Sequence, residues 1–158
     1  MNAIRREAVL AEVLDEAGVR YEVLDHERTE TAAAEAAALD MPPRVVAKTV
    51  VVGTGGGNVR VAVPASERVD MHKLRDLLGG GKEIHLLTED DLARAYPEFE
   101  LGAVPPIGGR EDAVVIDERL TTQKHVVLEA GSHERSLRLD PADLVAVSRA
   151  TTADVCVD

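Results

Sequence analysis

Two stretches of this chain carry residue types whose spacing could do chemistry. Lys48 heads the run Lys48-Thr49-Val50-Val51-Val52 and follows Val45-Val46-Ala47. Its stem therefore lies among apolar neighbours, while its ammonium must reach a polar opening or a partner. The second stretch, Gly102-Ala103-Val104-Pro105-Pro106-Ile107-Gly108-Gly109, sets two stiff prolines between glycines. Such a loop forms a rigid turn whose backbone amides are free to face a ligand. A cation opposite a fixed main-chain donor makes an anion or carbonyl site, and a donor held where an oxyanion develops is among the larger contributions to catalysis. Each stretch also has a plainer use. Lys48 can be a solvated lysine at a strand edge, and the loop a tight connection between helix and strand. The residues alone leave both open.

Other chemistry finds less support. Gly55-Gly56-Gly57 lacks the Gly-Lys-Ser/Thr ending of a phosphate loop and joins two strands, so it reads as a hairpin turn. The five histidines are scattered, and His72, His85 and His125 have no second ligand at a metal-binding spacing. No metal or cofactor is expected. The serines include no Gly-x-Ser-x-Gly elbow, and the lone Cys156 has no local activating partner. The acidic cluster Glu89-Asp90-Asp91 sits where a helix begins, a structural use of carboxylates at the positive end of the dipole.

The elements that must position these residues can be read from periodicity and turn chemistry. Ile4, Ala8, Ala11, Leu14 and Ala17 recur at helical spacing, with Gly18 as a left-handed cap. Val19 to Leu24 alternates like a half-buried strand. Thr31 N-caps the run Ala32 to Leu39, which Met41-Pro42-Pro43 stops. Lys48 to Gly53 and Asn58 to Pro64 form a hairpin predicted to lie in the middle of the sheet. Asp70 caps a helix carrying Met71, Leu74, Leu77 and Leu78, ended by Gly79-Gly80-Gly81 before a short strand over Glu83 to Leu87. Thr88 and Asp91 form a capping box for a brief helix that ends near Pro97. Strands follow at Ala113 to Asp117, Lys124 to Glu129 and Ser136 to Leu139. Asp140-Pro141 then opens a helix over Ala142 to Arg149. Several strand pairs are linked too tightly for crossover helices. The expectation is an α+β fold, a mixed β-sheet with several packed helices, as a single domain over residues 1–158.

Composition narrows the partners. With 29 acidic against 18 basic residues the net charge is −11, which opposes diffuse attraction to a polyanion. Two Tyr, one Phe and no Trp give no platform on which several bases could stack. Any nucleic-acid contact must be local, and Arg44, Lys48, Arg60, Arg68, Lys73, Arg75 and Arg110 are available for a basic rim. One cysteine, no signal-like segment and no membrane-length apolar run fit a cytoplasmic protein without membrane attachment.

The order of motifs resembles the YbaK family of aminoacyl-tRNA deacylases, related to the editing insertion domain of bacterial prolyl-tRNA synthetase. The resemblance covers nearly the whole chain. It rests on His26-Glu27-Arg28-Thr29-Glu30-Thr31, the Ala-rich helix, Ala47-Lys48-Thr49, Gly102-Ala103-Val104-Pro105-Pro106-Ile107-Gly108, Val115-Ile116-Asp117, and Glu129-Ala130-Gly131-Ser132 ahead of Asp140-Pro141-Ala142-Asp143-Leu144. It implies hydrolysis of the ester joining a wrongly attached amino acid to the terminal adenosine of tRNA, without an acyl-enzyme intermediate. Water or a group on the substrate would attack.

On that resemblance Lys48 and Gly102 are the catalytic residues. Lys48 would position phosphate or polar groups of the aminoacyl end, and the Gly102 loop amides would hold the ester carbonyl. His26, Thr31, Ala103, Val104, Pro105, Pro106, Gly131, Ser132 and Ser136 would contact substrate, although His26 serves equally as a packed or capping residue. Some Cys-tRNA(Pro) deacylases carry an acidic residue where this chain has Ser136, and a Tyr of some relatives falls on Leu24. These departures keep the cysteine preference of that branch from carrying over. Cys- and Ala-tRNA(Pro) are candidate substrates, with alanyl, cysteinyl, seryl and prolyl esters all open, because a pocket separates side chains by only about 1–3 kcal/mol per methylene. The expected partners are the acceptor end of aminoacyl-tRNA and prolyl-tRNA synthetase or another synthetase. A non-catalytic tRNA- or synthetase-binding module is the alternative, and a hydrolase of another small acyl ester a third.

Overall fold

The first helix, α1 (Ala3–Glu16), starts where the Asn2 side chain accepts a hydrogen bond from the Arg5 amide at 3.0 Å, and it stops at Gly18, whose φ of 70° is left-handed. A computed structural model describes all residues 1–158. The face that α1 buries differs from the stripe expected through Ile4. Ile4 is exposed, and Leu10, Val13 and Leu14 turn inward. Three large side chains at i, i+3 and i+4 remove more apolar area from water than the alanine stripe would.

The remaining elements follow in order as β1 (Tyr21–Asp25), α2 (Ala32–Ala38), a 3₁₀ turn (Pro43–Val45), β2 (Val46–Thr54), β3 (Gly57–Pro64), α3 (Met71–Leu78), β4 (His85–Leu86) and α4 (Glu89–Ala95). After them come β5 (Ala113–Asp117), α5 (Glu118–Thr121), β6 (Val126–Ser132), β7 (Arg135–Leu139), α6 (Pro141–Ser148) and β8 (Thr151–Ala153). The helix starts follow sequence chemistry. Thr31 accepts from the Ala34 amide, Asp70 from His72 and Lys73, and Asp140 from Ala142, while Thr88 and Asp91 close a capping box. The short α5 and β8 were not anticipated, and the strand expected over Glu83 to Leu87 shrinks to two residues.

Eight strands form one mixed sheet in the order β1-β7-β6-β2-β3-β5-β8, with β4 also pairing with β2. The α+β expectation holds, and the β2–β3 hairpin lies in the middle. Its strands are antiparallel from Ala47 opposite Pro64 to Thr54 opposite Gly57, whereas β2–β6, β3–β5 and β5–β8 are parallel. On one face Leu10 and Leu14 of α1 pack against Ala47, Ala62, Leu128 and Leu137. On the other, Ala32 and Ala36 of α2 pack on Val46 and Val127, and Leu74 of α3 packs on Val52, Val61 and Val63. The edge strand β1 is less buried than its alternation suggested, with Val23 exposed.

One discontinuity in this sheet positions the site. Along a single edge of β2, strand β6 pairs only with Val46 and Ala47, and β4 only with Val52 and Gly53. Between them lies a gap from Lys48 to Val51, bridged only at its end by the Leu87 amide donating to the Val51 carbonyl at 3.1 Å. The segment following α4 covers the gap, and Tyr96, Phe99 and Val104 cluster with Val51.

Candidate active site

Lys48 is the first residue of β2 past the point where β6 leaves. Strand alternation puts it on the face of Val46 and Val52, between the areas covered by α2 and α3. It is half-buried, and its ammonium makes no ion pair and no hydrogen bond to any protein group. Such a cation is available to a ligand.

A polar row crosses the sheet on this same face. Leu24 of β1 stands opposite Ser136 of β7, and Ser136 opposite Glu129 of β6. Extending the β2–β6 register by one step sets Glu129 beside Lys48. Glu35 of α2 reaches this row, accepting a hydrogen bond from the Ser136 hydroxyl, and His26 Nε2 meets the same oxygen at 2.9 Å. The other ring nitrogen of His26 lies 2.7 Å from the Glu27 carbonyl. Because a carbonyl only accepts, Nδ1 carries a proton. Glu35 is fully buried, and that burial pushes its carboxyl up to about 7 against the opposing pull of the Ser136 hydrogen bond.

Glu129 and His133 close the row toward the proline loop. Glu129 Oε2 stands 2.9 Å from His133 Nδ1, yet neither atom completes a hydrogen bond. His133 Nε2 lies 2.8 Å from the Leu101 carbonyl, and the His133 amide donates to Glu100 Oε2 at 2.7 Å. Burial, with smaller contributions from nearby Glu35, Glu100 and Glu30 and against the pull of Arg28, raises the Glu129 carboxyl to about 9. Glu100 itself is lowered, because the His133 amide and the Arg28 guanidinium outweigh its own desolvation.

Gly102 abuts this group. Its φ is 84°, and a β-carbon added to it would lie 3.4 Å from the His133 ring. The Ala103 amide is committed to the Glu100 carbonyl at 3.0 Å, whereas the amides of Gly102 and Val104 have no backbone acceptor. Gly102 is exposed and Val104 buried. Backbone donors in folded proteins are almost always paired, so two open ones flanking a committed one mark a place for an external acceptor.

The residues singled out from sequence therefore divide. Lys48, His26 and Ser136 lie along the row and Gly102 abuts it at His133, whereas Val104 packs with Val51, on the face of β2 opposite Lys48. Thr31 is spent on the cap of α2, with its hydroxyl accepting from Ala34 at 3.0 Å. Ala103, Pro105 and Pro106 are buried within the loop, and the Pro105 carbonyl accepts from Arg60 at 3.0 Å. Gly131 lies beneath Phe99, and its carbonyl accepts from the Glu100 amide at 2.8 Å. Ser132 accepts from Glu134 inside the β6–β7 turn. These residues shape the loop without facing the row.

Three members of the row were missed in the sequence, although each left a signal. Glu35 interrupts an alanine run, Glu129 follows Val126-Val127-Leu128, and His133 directly follows the same strand. A charge inside an apolar run is a candidate buried group. The expected basic rim also changes. Arg60 is fully buried, Lys73 is held by Asp154 and Asp158, Arg75 by the Ile84 carbonyl, and Arg110 pairs with Asp112. Arg44, Arg68 and Lys48 stay free.

A cleft of about 840 Å³ lies elsewhere, between α1, the loop tip and the end of α6. Five carboxylates, from Glu12, Glu16, Glu98, Glu111 and Asp112, outnumber the lining arginines Arg60, Arg110 and Arg149, of which the first two pair with Asp112, so the surface is unfavourable for a polyanionic ligand. Cys156 is buried, and its thiol is pushed up to about 12 by desolvation and the adjacent Asp117, so it has no thiolate to attack with. No cluster of three His, Cys, Asp or Glu is arranged to hold a metal ion.

With this geometry in place, the profile of the aminoacyl-tRNA editing domain matches residues 26–147, a span that contains the whole row. Among solved structures, a candidate trans-editing enzyme for prolyl tRNA synthetase superposes with a TM-score of 0.88 at 24% identity, covering 97% of this chain and 98% of that one. A scaffold protein from epitope backbone grafting by computational design superposes at 0.86 and 23% identity, covering 97% of each chain. A hypothetical protein does so at 0.85 and 24%, covering 94% of this chain and 99% of that one. These similarities establish a shared fold.

Proposed function

Because this chain belongs to the family of aminoacyl-tRNA editing domains, we propose that it is a cytoplasmic deacylase that hydrolyses the ester of mischarged aminoacyl-tRNA. One observation carries the reading. The open amides of Gly102 and Val104 and the unpaired ammonium of Lys48 flank one gap in the sheet, joined through His133 and Glu129.

The chemistry follows from that arrangement. Water adds to the ester carbonyl carbon, giving up a proton with the help of a neighbouring hydroxyl of the substrate, and the π pair moves onto the carbonyl oxygen. The open amides receive that oxyanion, while Lys48 holds a phosphate or polar group of the terminal nucleotide. Collapse expels the ribose oxygen, which takes up a proton, and leaves a free amino acid and an uncharged tRNA. Attack by water needs no protein nucleophile. The free cations at Arg44, Arg68 and Lys48 can grip an acceptor end, whereas the net charge of −11 opposes binding to the tRNA body. We therefore assign the rest of the tRNA affinity to a synthetase partner, with prolyl-tRNA synthetase the leading candidate because the structural relative is named as its trans-editor.

The test is a deacylation panel using tRNA(Pro) charged with Cys, Ala, Ser or Pro. The wild type should clear at least one ester. Lys48→Ala and Gly102→Ala should each lower kcat/KM by about 100-fold or more while the circular-dichroism melt stays cooperative. Full activity in both variants would remove the proposed roles. A wild type that binds acceptor-end analogues without turnover would be the binding module instead.

A further inference from the structure

Resting on the deacylase reading, we infer that Glu129 is the receptor for the α-ammonium group of the aminoacyl ester, with Lys48 one strand away holding the substrate's negatively charged end. An aminoacyl ester differs from other acyl esters by a cation on the carbon next to the carbonyl. A site that holds the carbonyl on the Gly102 loop must therefore meet that cation close by. Glu129 is the carboxylate in that place, linked to Gly102 only through the His133 ring.

The surroundings of Glu129 lack a partner of the kind an ammonium would supply. Four of the five buried side-chain polar atoms without a hydrogen bond lie here, namely Thr29 Oγ1, Glu35 Oε1, Glu129 Oε2 and His133 Nδ1. The Glu129 side chain is only 9% exposed, so water does little to satisfy it. No lysine or arginine pairs with it, although Lys48 and Glu129 each directly follow the last paired residues, Ala47 and Leu128. His133 offers Glu129 an acceptor for the carboxyl proton, not a cation. Its Nε2 proton is committed to the Leu101 carbonyl, and its Nδ1 lone pair faces the carboxyl. Glu35, Glu100 and Glu30 add negative potential against Arg28. A buried carboxylate in such surroundings keeps its proton until a cation arrives, and an incoming ammonium both displaces that proton and donates to the open oxygens.

The substrate class is therefore narrower than acyl esters in general, requiring a free α-amine and rejecting isosteric 2-hydroxyacyl groups. Two amide-linked, non-hydrolysable analogues of the terminal adenosine 5′-phosphate, one alanyl and one lactyl, test this by calorimetry. They have the same size and differ by an ammonium against a hydroxyl. The wild type should bind the alanyl form about tenfold more tightly or better, and Glu129→Gln should bring the two affinities to within about threefold. Equal wild-type affinities, or a preference that survives Glu129→Gln, would overturn the assignment. The wild-type comparison decides the matter even if the variant folds poorly. Because binding needs no turnover, an ammonium preference in a protein that deacylates nothing would sink the deacylase reading alone, and deacylation without that preference would sink this inference alone.

Discussion

Arg60 of β3 and Gly108 at the tip of the proline loop are joined by a buried hydrogen bond, Nη2 donating to the carbonyl at 2.7 Å. The same guanidinium donates to the carbonyls of Pro105 and Arg110, each at 3.0 Å, and to Asp112 at 2.9 Å, and it lies over the Tyr96 ring at 4.6 Å. The loop that offers its amides on one side is thus held by its carbonyls on the other. Rigidity that the two prolines begin, Arg60 completes.

Removing that anchor should be costly in a specific way. Arg60→Leu leaves three loop carbonyls without their donor and the Asp112 carboxylate with only Arg110 and the Tyr96 hydroxyl, and the expected loss is about 3–5 kcal/mol in urea unfolding. Arg60→Lys keeps the charge but not the planar fork. That variant should stay folded, lose part of this stability and turn over more slowly, because a loosened loop no longer holds the Gly102 and Val104 amides in place. Wild-type unfolding midpoints and rates in both variants would remove Arg60 from this role.

Glycine positions separate backbone strain from collision. Gly131 has φ 83°, and a β-carbon there would lie 2.5 Å from Phe99 Cδ1 and 3.3 Å from the Arg6 carbonyl. Gly18 has φ 70° with nothing within 4 Å. Gly18→Ala should cost about 1–2 kcal/mol, the price of a left-handed residue alone. Gly131→Ala adds a clash with a buried ring and should cost about 2–4 kcal/mol, and by moving Phe99 and Glu100 it should also slow deacylation. Thermal melts and rates measured side by side check the difference, and equal melts for the two variants would contradict it.

The parts of the fold legible in sequence were those set by local rules. Thr31, Asp70, Thr88 and Asp140 announce helix starts through side chains that satisfy nearby amides, and the alternation flanking Gly55-Gly56-Gly57 announces the central hairpin. Lys48 and Gly102 stood out because a cation in an apolar strand and a proline loop between glycines are locally odd. The gap on the β2 edge was not legible, since it depends on where β6 and β4 end their pairing, a relation between residues about 80 positions apart in the case of Val46 and Val127. Arg60 misled for a related reason. Its alternation with Val59 and Val61 suits a solvent-facing residue, but α1 and the proline loop cover that side of the sheet.

Glu35 makes the stability of this protein depend on pH in a direction opposite to that of a salt-bridged carboxylate. Burial raises its folded pKa from 4.5 to about 7. Below 4.5 both folded and unfolded states hold the proton, and the group leaves stability unchanged. As pH rises from 4.5 toward 7 the unfolded state releases the proton while the folded state retains it, so stability falls across that window and stays reduced above it. The full penalty is of the order of a few kcal/mol. Glu35→Gln keeps the shape of the protonated acid and can donate to Ser136 without carrying a titrating charge. The variant should match wild type at pH 4.5 and melt higher at pH 8, the gap opening between these values. Glu129 adds a further fall extending toward pH 9, smaller in the variant because the Glu35 charge is one of the groups that raise it. Melting curves from pH 4.5 to 8 that run parallel for the two proteins would show that Glu35 is ionised throughout and that its burial has been offset by a counter-charge.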